Sequence, residues 1–550
     1  LFNVPVPMRD GVNLSADIYL PDAPGAFPTV LNRTPYDNST QNHADLGGFY
    51  AQRGYVYVVQ DCRGRYDSEG VFYSYHDDAM DGYDTQEWIG GQPWCNGSIG
   101  TSGESYGGHT QWMPAPLGSR YLKAMVPRVT PSDIWKEDAY SAGVFRLALG
   151  LFWGLRHSGR TRQNADVHDW DQVFRSLPLI EADRQAGRDV KFYQDWVIHS
   201  TYDDYWRQVS NLDKYHEIDV PIFHMAGWFD AYTGGALINF NGMVLQGRTP
   251  ETRRGQKIII GPWHHNLSAS TMSGQLDFGP QSMVDLRALE LRWFDYCLKG
   301  IDNGIMDEPP IQLFVMGENV WRGEHEWPLA RTQHSSYYLH SQGGAGRFVS
   351  DGSLTTEPPG DEPVDRYVYD PENPVPTWGG TFHDPAVVKI GPWDQRPIEA
   401  REDVLGYTGP VLEKDVEVTG TVVAKLYVAS SAPDTDFTAR LIDLYPDGRA
   451  MYVCEGVIRT RFRESDEHPT LMEPGQVYEL TIKLEVTSNL FKQGHRIRLD
   501  ITSSNYPRND RNPNTGHPFG MDAEMRVAEQ AIHHTAQPPS HLVLPIIPRD

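Results

Sequence analysis

The 550-residue chain has no apolar run long enough to span a bilayer, no basic-plus-apolar leader and no excess of positive charge. Its formal net charge of −25 repels nucleic-acid phosphates and anionic lipid surfaces, which argues against both as partners. Cysteine is scarce. Cys62, Cys95, Cys297 and Cys454 are scattered without C-x-x-C spacing, which removes zinc-ribbon and thioredoxin readings. They read as buried free thiols of a reduced compartment, favouring the cytoplasm over export. A Cys62–Cys95 bridge stays open as the alternative, as does a leader removed before Leu1. None of the 20 histidines stands in H-E-x-x-H or another metal-spaced pair, so neither metal nor cofactor is expected. Repeats and low-complexity linkers are missing too, so the parts of the chain should pack rather than tumble.

What is present is an ordinary globular composition, 39% hydrophobic, in a chain too long for a single core. Residues 1–127 alternate strands with helices. Val12 to Leu20 has period two after an Asp10-Gly11 turn, while Pro28 to Asn32 and Tyr55 to Gln60 are short runs of the kind buried on both faces. Asp78 to Ile89 is a helix with acidic first turns. This alternation predicts a parallel α/β sheet. Residues 128–217 lose the strand signals and carry aromatics at helical spacing, including Phe145, Leu149, Phe152 and Trp153, then Phe192, Trp196 and Ile198. They are read as a helical insertion. In residues 218–332 the sheet resumes with Ile222 to Ala226 and Lys257 to Ile260, followed by a helix from Met283 to Leu298 that Gly300 stops. Residues 333–550 are all-β. Tyr478, Leu480, Ile482, Leu484 and Val486 alternate with polar residues, and Pro446-Asp447-Gly448 joins two strands in a hairpin. A sandwich or jelly roll is expected there.

The chemistry centres on Gly103-Glu104-Ser105-Tyr106-Gly107, a G-x-S-x-G pattern. Glycines two positions either side of a serine let the chain turn sharply from strand to helix and push the hydroxyl into the open. A serine nucleophile needs a base, and the base needs an orienting carboxylate. In a parallel sheet all three belong just past the carboxyl ends of different strands. Two strands end suitably, at Gly227-Trp228-Phe229-Asp230 and at Gly261-Pro262-Trp263-His264-His265. The order Ser, Asp, His is that of the α/β-hydrolase topology. Asp230 could instead be an N-cap or Asx-turn residue, and His264 and His265 compete for the base. His109 and His224 read as structural, and Asp61 as organising its loop through charge pairs with Arg63 or Arg65. The Tyr106 amide, at a helix start after the nucleophile, offers one oxyanion donor. The loop after Asn32 lacks a His-Gly-Gly-Gly run but offers the phenol of Tyr36.

These segments together (R-x-P-Y-D, D-C-R-G-R-Y-x-S-E-G, G-x-S-Y-G-G, G-W-F-D and G-P-W-H-H) resemble the CocE/NonD serine hydrolases. That superfamily includes bacterial cocaine esterase, α-amino acid ester hydrolases and X-prolyl dipeptidyl aminopeptidases. The resemblance runs along essentially the whole chain, including Asp434-Thr435-Asp436-Phe437 in the β region. It implies an α/β-hydrolase core interrupted by a helical cap, with a C-terminal jelly roll. It also implies Ser105 as nucleophile, Asp230 as acid, His265 rather than His264 as base, and Tyr36 with the Tyr106 amide as oxyanion hole. Aligning the insertion on Lys123 and Asp133 suggests Ile134 and Trp153 as pocket residues, with Tyr232 two past the acid. α-Amino acid ester hydrolases carry acidic residues near the nucleophile that hold an ammonium. Here Gly107, Gly108 and His109 follow Tyr106, although Glu137 and Asp138 lie in the insertion.

The expectation is therefore a cofactor-free carboxylic-ester hydrolase acting on a small-molecule substrate. The alternatives are an amidase, aminopeptidase or β-lactam acylase with the same triad, or a carbohydrate-binding protein with an inactive hydrolase body. A homo-oligomer is compatible with the sequence.

Overall fold

Ten strands form the first sheet of the computed structural model, which describes residues 1–549 apart from 165, 347–349, 383 and 538. They are β1 (Val4–Pro7), β2 (Asn13–Tyr19), β3 (Phe27–Thr34), β4 (Val56–Asp61), β5 (Cys95–Glu104) and β6 (Leu122–Arg128), then β7 (Ile222–Gly227), β8 (Gln256–Gly261), β9 (Ile311–Val315) and β10 (Val320–Glu324). Their spatial order is β1-β2-β4-β3-β5-β6-β7-β8-β9-β10. From β4 through β9 every neighbouring pair is parallel, and antiparallel strands close both edges. Strands β4, β7 and β8 are buried along their whole length, as their short continuous runs predict.

Helices cover both faces. Leu286–Lys299 lays Trp293 and Phe294 against Val30, Ala124, Val126 and Met225, and Gly300 ends it in the left-handed conformation at φ 68°. On the other side Thr233–Gln246 packs Leu237 and Phe240 with Ile258 and Ile260. The acidic helix runs Asp78–Gly90. No helix among the described residues is long and apolar enough to cross a membrane.

Between β6 and β7 the chain is mainly helical, with Leu147–His157 and Lys191–Ile198 the longest pieces. Phe145 departs from the helical expectation: it lies in a two-stranded hairpin, Tyr140–Ser141 with Val144–Phe145, turned by Ala142 and Gly143 at positive φ. Ile198 also departs, standing more than half exposed at its helix end. Most aromatic residues of this segment form one core with Tyr106, at the start of the helix after β5, and with Phe462 and Tyr506 of the β region. The insertion is thereby fastened to both neighbours.

From Gln333 onward eleven strands share one sheet system and one core. Its longest pair is Val416–Ser430 against Tyr478–Phe491, and the anticipated hairpin joins Asp436–Leu444 to Ala450–Arg459. Short helical turns at Arg396–Glu399 and Thr460–Phe462 interrupt the β character. All four cysteines are free, Cys62 and Cys95 included.

Candidate active site

The register of the parallel strands brings the proposed residues to one edge. Glu104 at the end of β5 is level with Arg128 of β6, Arg128 with Met225 of β7, and Gly227 of β7 with Gly261 of β8. Ser105, Asp230 and His265 follow within one to four residues of those strand ends. Tyr36 follows two residues after β3, whose Leu31 is level with Thr101 of β5. One sheet edge therefore carries all four side chains.

Ser105 sits at φ 58°, ψ −120°, outside the regions an L-residue prefers, as the residue preceding the helix Tyr106–Trp112. Such a conformation costs on the order of 1–3 kcal/mol and persists only where its surroundings impose it. Two glycines impose it. A Cβ on Gly103 would lie 2.7 Å from the Gly107 carbonyl oxygen, and one on Gly108 2.6 Å from the Thr130 side chain. The helix can start this close to the strand only because those atoms are missing.

Asp230 is fully buried at its side chain, and its Oδ2 lies 2.6 Å from His265 Nδ1. Its Oδ1 accepts the Tyr232 N–H at 2.9 Å, an Asx-turn. One oxygen therefore shapes an Asx-turn while the other faces the imidazole. Burial alone would lower the His265 pKa. The charge and hydrogen bond of Asp230, with added negative potential from Glu104 and Asp138, lift it above the usual histidine value. His264 is turned away, its Nδ1 accepting the Asn266 N–H at 3.2 Å.

Tyr36 receives a hydrogen bond on its phenol oxygen from Trp153 Nε1 at 3.2 Å. Burial raises its pKa, which keeps the phenol protonated. Trp153 also lies parallel to Tyr106, Tyr75 and Trp196, with centroids about 6.0–6.2 Å apart. It reaches the site by supporting Tyr36. Ile134 is buried, 2% exposed, beside a small cavity shared with His109 and Trp112. Tyr232 sets its ring edge-on to His265 at 5.8 Å, and its hydroxyl donates to Asp138.

Two residues with no assigned role stand here. Asp138, 2% exposed, accepts hydrogen bonds from Tyr75 and Tyr232, and burial raises its pKa. Tyr75, at φ 74°, donates its N–H to the Tyr106 phenol oxygen and stacks on that ring at 4.7 Å. The aromatic run Phe72-Tyr73-Ser74-Tyr75 between a strand and a helix is the only sequence signal that could have marked Tyr75. His109 and His224 are buried, and burial depresses them to about 4 and about 3. Asp61 departs from expectation: it holds its loop by accepting the backbone N–H groups of Asn38 and Asp67, while Arg63 pairs with Asp10 and Asp81. Among the described residues, one group has metal-ligand proximity, His517, Asp522 and Glu524, and it lies outside this site.

The model of X-Pro dipeptidyl-peptidase (S15 family) matches residues 10–266, and that of the X-Pro dipeptidyl-peptidase C-terminal non-catalytic domain matches 303–543. Cocaine esterase of Rhodococcus sp. (strain MB1 Bresler) is 39% identical, across 100% of this chain and 98% of its own. This chain belongs to the CocE/NonD family of serine ester hydrolases. Solved structures of two other proteins cover 99% of this hydrolase and 96% of their own chains at 26% identity: an aminopeptidase from the marine sediment archaeon Thaumarchaeota archaeon, with a TM-score of 0.86, and an α-amino acid ester hydrolase, with a TM-score of 0.84. The hydrolase shares with them its length, its N-terminal α/β part and its β-rich C-terminal part.

Proposed function

We propose that the protein cleaves small carboxylic esters through an acyl-enzyme, with Ser105, His265 and Asp230 as triad. The observation that carries this reading is the 2.6 Å contact between Asp230 and His265 on the sheet edge where Ser105 is held in a strained turn. His265 takes the Ser105 proton as the hydroxyl attacks the ester carbonyl. Asp230 keeps the imidazole oriented and stabilises its protonated form. The developing oxyanion is bound by the Tyr36 phenol and the Tyr106 amide, and the alcohol leaves with the proton from His265. Water then repeats the sequence and frees the acid. Residues 128–217 act as a cap over residues 1–127 and 218–332, and residues 333–550 form a jelly roll that backs the site. The hydrolase needs no cofactor in this scheme.

A second reading, hydrolysis of amides or of peptides at their amino end, is favoured by the likeness to the archaeal aminopeptidase and by the buried Asp138 carboxylate near the triad. A panel of p-nitrophenyl esters, amino-acid esters and X-Pro anilides separates the two. Turnover confined to the anilides would overturn the ester assignment.

Tyr36→Phe keeps the ring and its packing but removes the proton that would be donated. The expected loss is about 2.7–4 kcal/mol, on kcat more than on KM, because the bond strengthens on the tetrahedral intermediate. A folded variant with kcat within about threefold of wild type would show that another donor serves the oxyanion.

The pH profile follows from His265. As a base it must be neutral, and its pKa lies above the ordinary ~6.5. The acid limb of kcat/KM is therefore expected above that value, with activity rising as pH rises through it. Asp138→Asn removes one negative charge near the imidazole and should move the limb to lower pH. A limb at or below pH ~6.5 in the unmodified enzyme would contradict this.

A further inference from the structure

Arg146 is a buried charge without a carboxylate partner. It immediately precedes the helix Leu147–His157 and is 3% exposed. No ion pair among the described residues includes it, although buried guanidinium groups are ordinarily paired. Its Nη1 donates to the Glu137 carbonyl oxygen, and its buried Nη2 has no hydrogen-bond partner. Burial and the nearby Arg508 lower its pKa, with Tyr232, Asp138 and Glu485 only partly offsetting them.

Arg146 lines a cavity of about 110 Å³ between the insertion and the C-terminal sheet. The opposite walls carry Lys483, Asn505, Asn509, Glu455 and Glu485. Both glutamates are already committed. Glu455 takes hydrogen bonds from Arg440, Asn505 and Arg508, and Glu485 from Arg508 and Tyr452. Arg508 also lines the cavity but is paired with both glutamates, so Arg146 and Lys483 are the cavity's two cations in no ion pair among the described residues. In a chain of net charge −25 this crevice is locally positive. Its volume exceeds that of one water but suits a group of a few heavy atoms.

We propose that this crevice is a binding site for a small carboxylate, with Arg146 as its buried anchor and Lys483 at its mouth. A planar two-oxygen anion matches the guanidinium edge and would satisfy Nη2 and compensate its charge together. None of the site's lining residues belongs to the triad or the oxyanion hole, and Arg146 reaches the neighbouring site only through the Tyr232 ring, 5.9 Å from its guanidinium. The site's existence does not depend on the ester reading.

Isothermal titration of the full chain with sodium acetate, against sodium chloride at equal ionic strength, tests this. Acetate is expected to bind saturably to one site per chain. Lys483→Ala and Asn509→Ala, on the crevice wall, should weaken it severalfold while leaving ester turnover unchanged. Arg146→Gln should weaken it at least tenfold. Should Arg146→Gln fail to fold, the two wall variants still decide. No saturable acetate binding to the unmodified chain would mean that water alone fills the crevice, and the proposal falls. It falls equally if acetate binds but the wall variants bind it unchanged, because the acetate is then elsewhere. Inorganic phosphate binding more tightly than acetate would overturn the choice of anion.

Discussion

Ser105→Ala should reduce kcat for ester hydrolysis on the order of 10⁶-fold, the scale reached when the nucleophile of such a unit is removed. The protein should stay folded. Ser105 is at φ 58° in a turn dictated by Gly103 and Gly108, and alanine meets the same backbone demand with one atom fewer. The core beneath it, built on Tyr106, Tyr75 and Trp153, does not use the serine hydroxyl for packing. Circular dichroism would confirm the fold, and a fluorophosphonate probe should label wild type but not the variant. A purified variant that keeps a tenth of wild-type activity would show that another residue attacks the carbonyl. Partial loss with intact labelling would point the same way.

Much of this site was legible in the sequence because it is locally encoded. A tight strand-to-helix turn demands glycines at fixed offsets, so Ser105 announces itself within five residues. Asp230 and His265 are legible as residues just past short apolar strands, once a parallel sheet is inferred. What spacing could not decide is which of two adjacent histidines faces the acid. Family resemblance favoured His265, and the contact with Asp230 agrees with it. Contacts that cross the chain left no local trace. Asp138 meets Tyr75 and Tyr232 across 63 and 94 residues, and Trp153 reaches Tyr36 across 117. Ile134 and Trp153, which only the family alignment suggests as pocket residues, sit differently: Ile134 is buried in the core of the insertion, and Trp153 donates to the Tyr36 phenol. The hairpin at Tyr140–Phe145 was hidden because its two-residue strands are too short to show a period.

The second large effect separates the two histidines. His265→Ala should be inactive to a degree comparable with Ser105→Ala, since members of a triad act as one unit and their losses do not add. A double variant carrying both changes should accordingly be no slower than either alone. His264→Ala should stay within about threefold of wild type, under ~0.7 kcal/mol. The reason lies in a chain that has just left a strand, where successive side chains point in opposite directions. His265 projects onto Asp230 and is 13% exposed at its side chain, whereas His264 turns back to accept its own loop's Asn266 N–H. Removing the His264 ring therefore loosens a turn, and removing the His265 ring takes away the proton acceptor and leaves Asp230 as a buried carboxylate without its partner. Equal losses of activity in the two single variants, or the reverse ranking, would defeat the choice of His265 as the base.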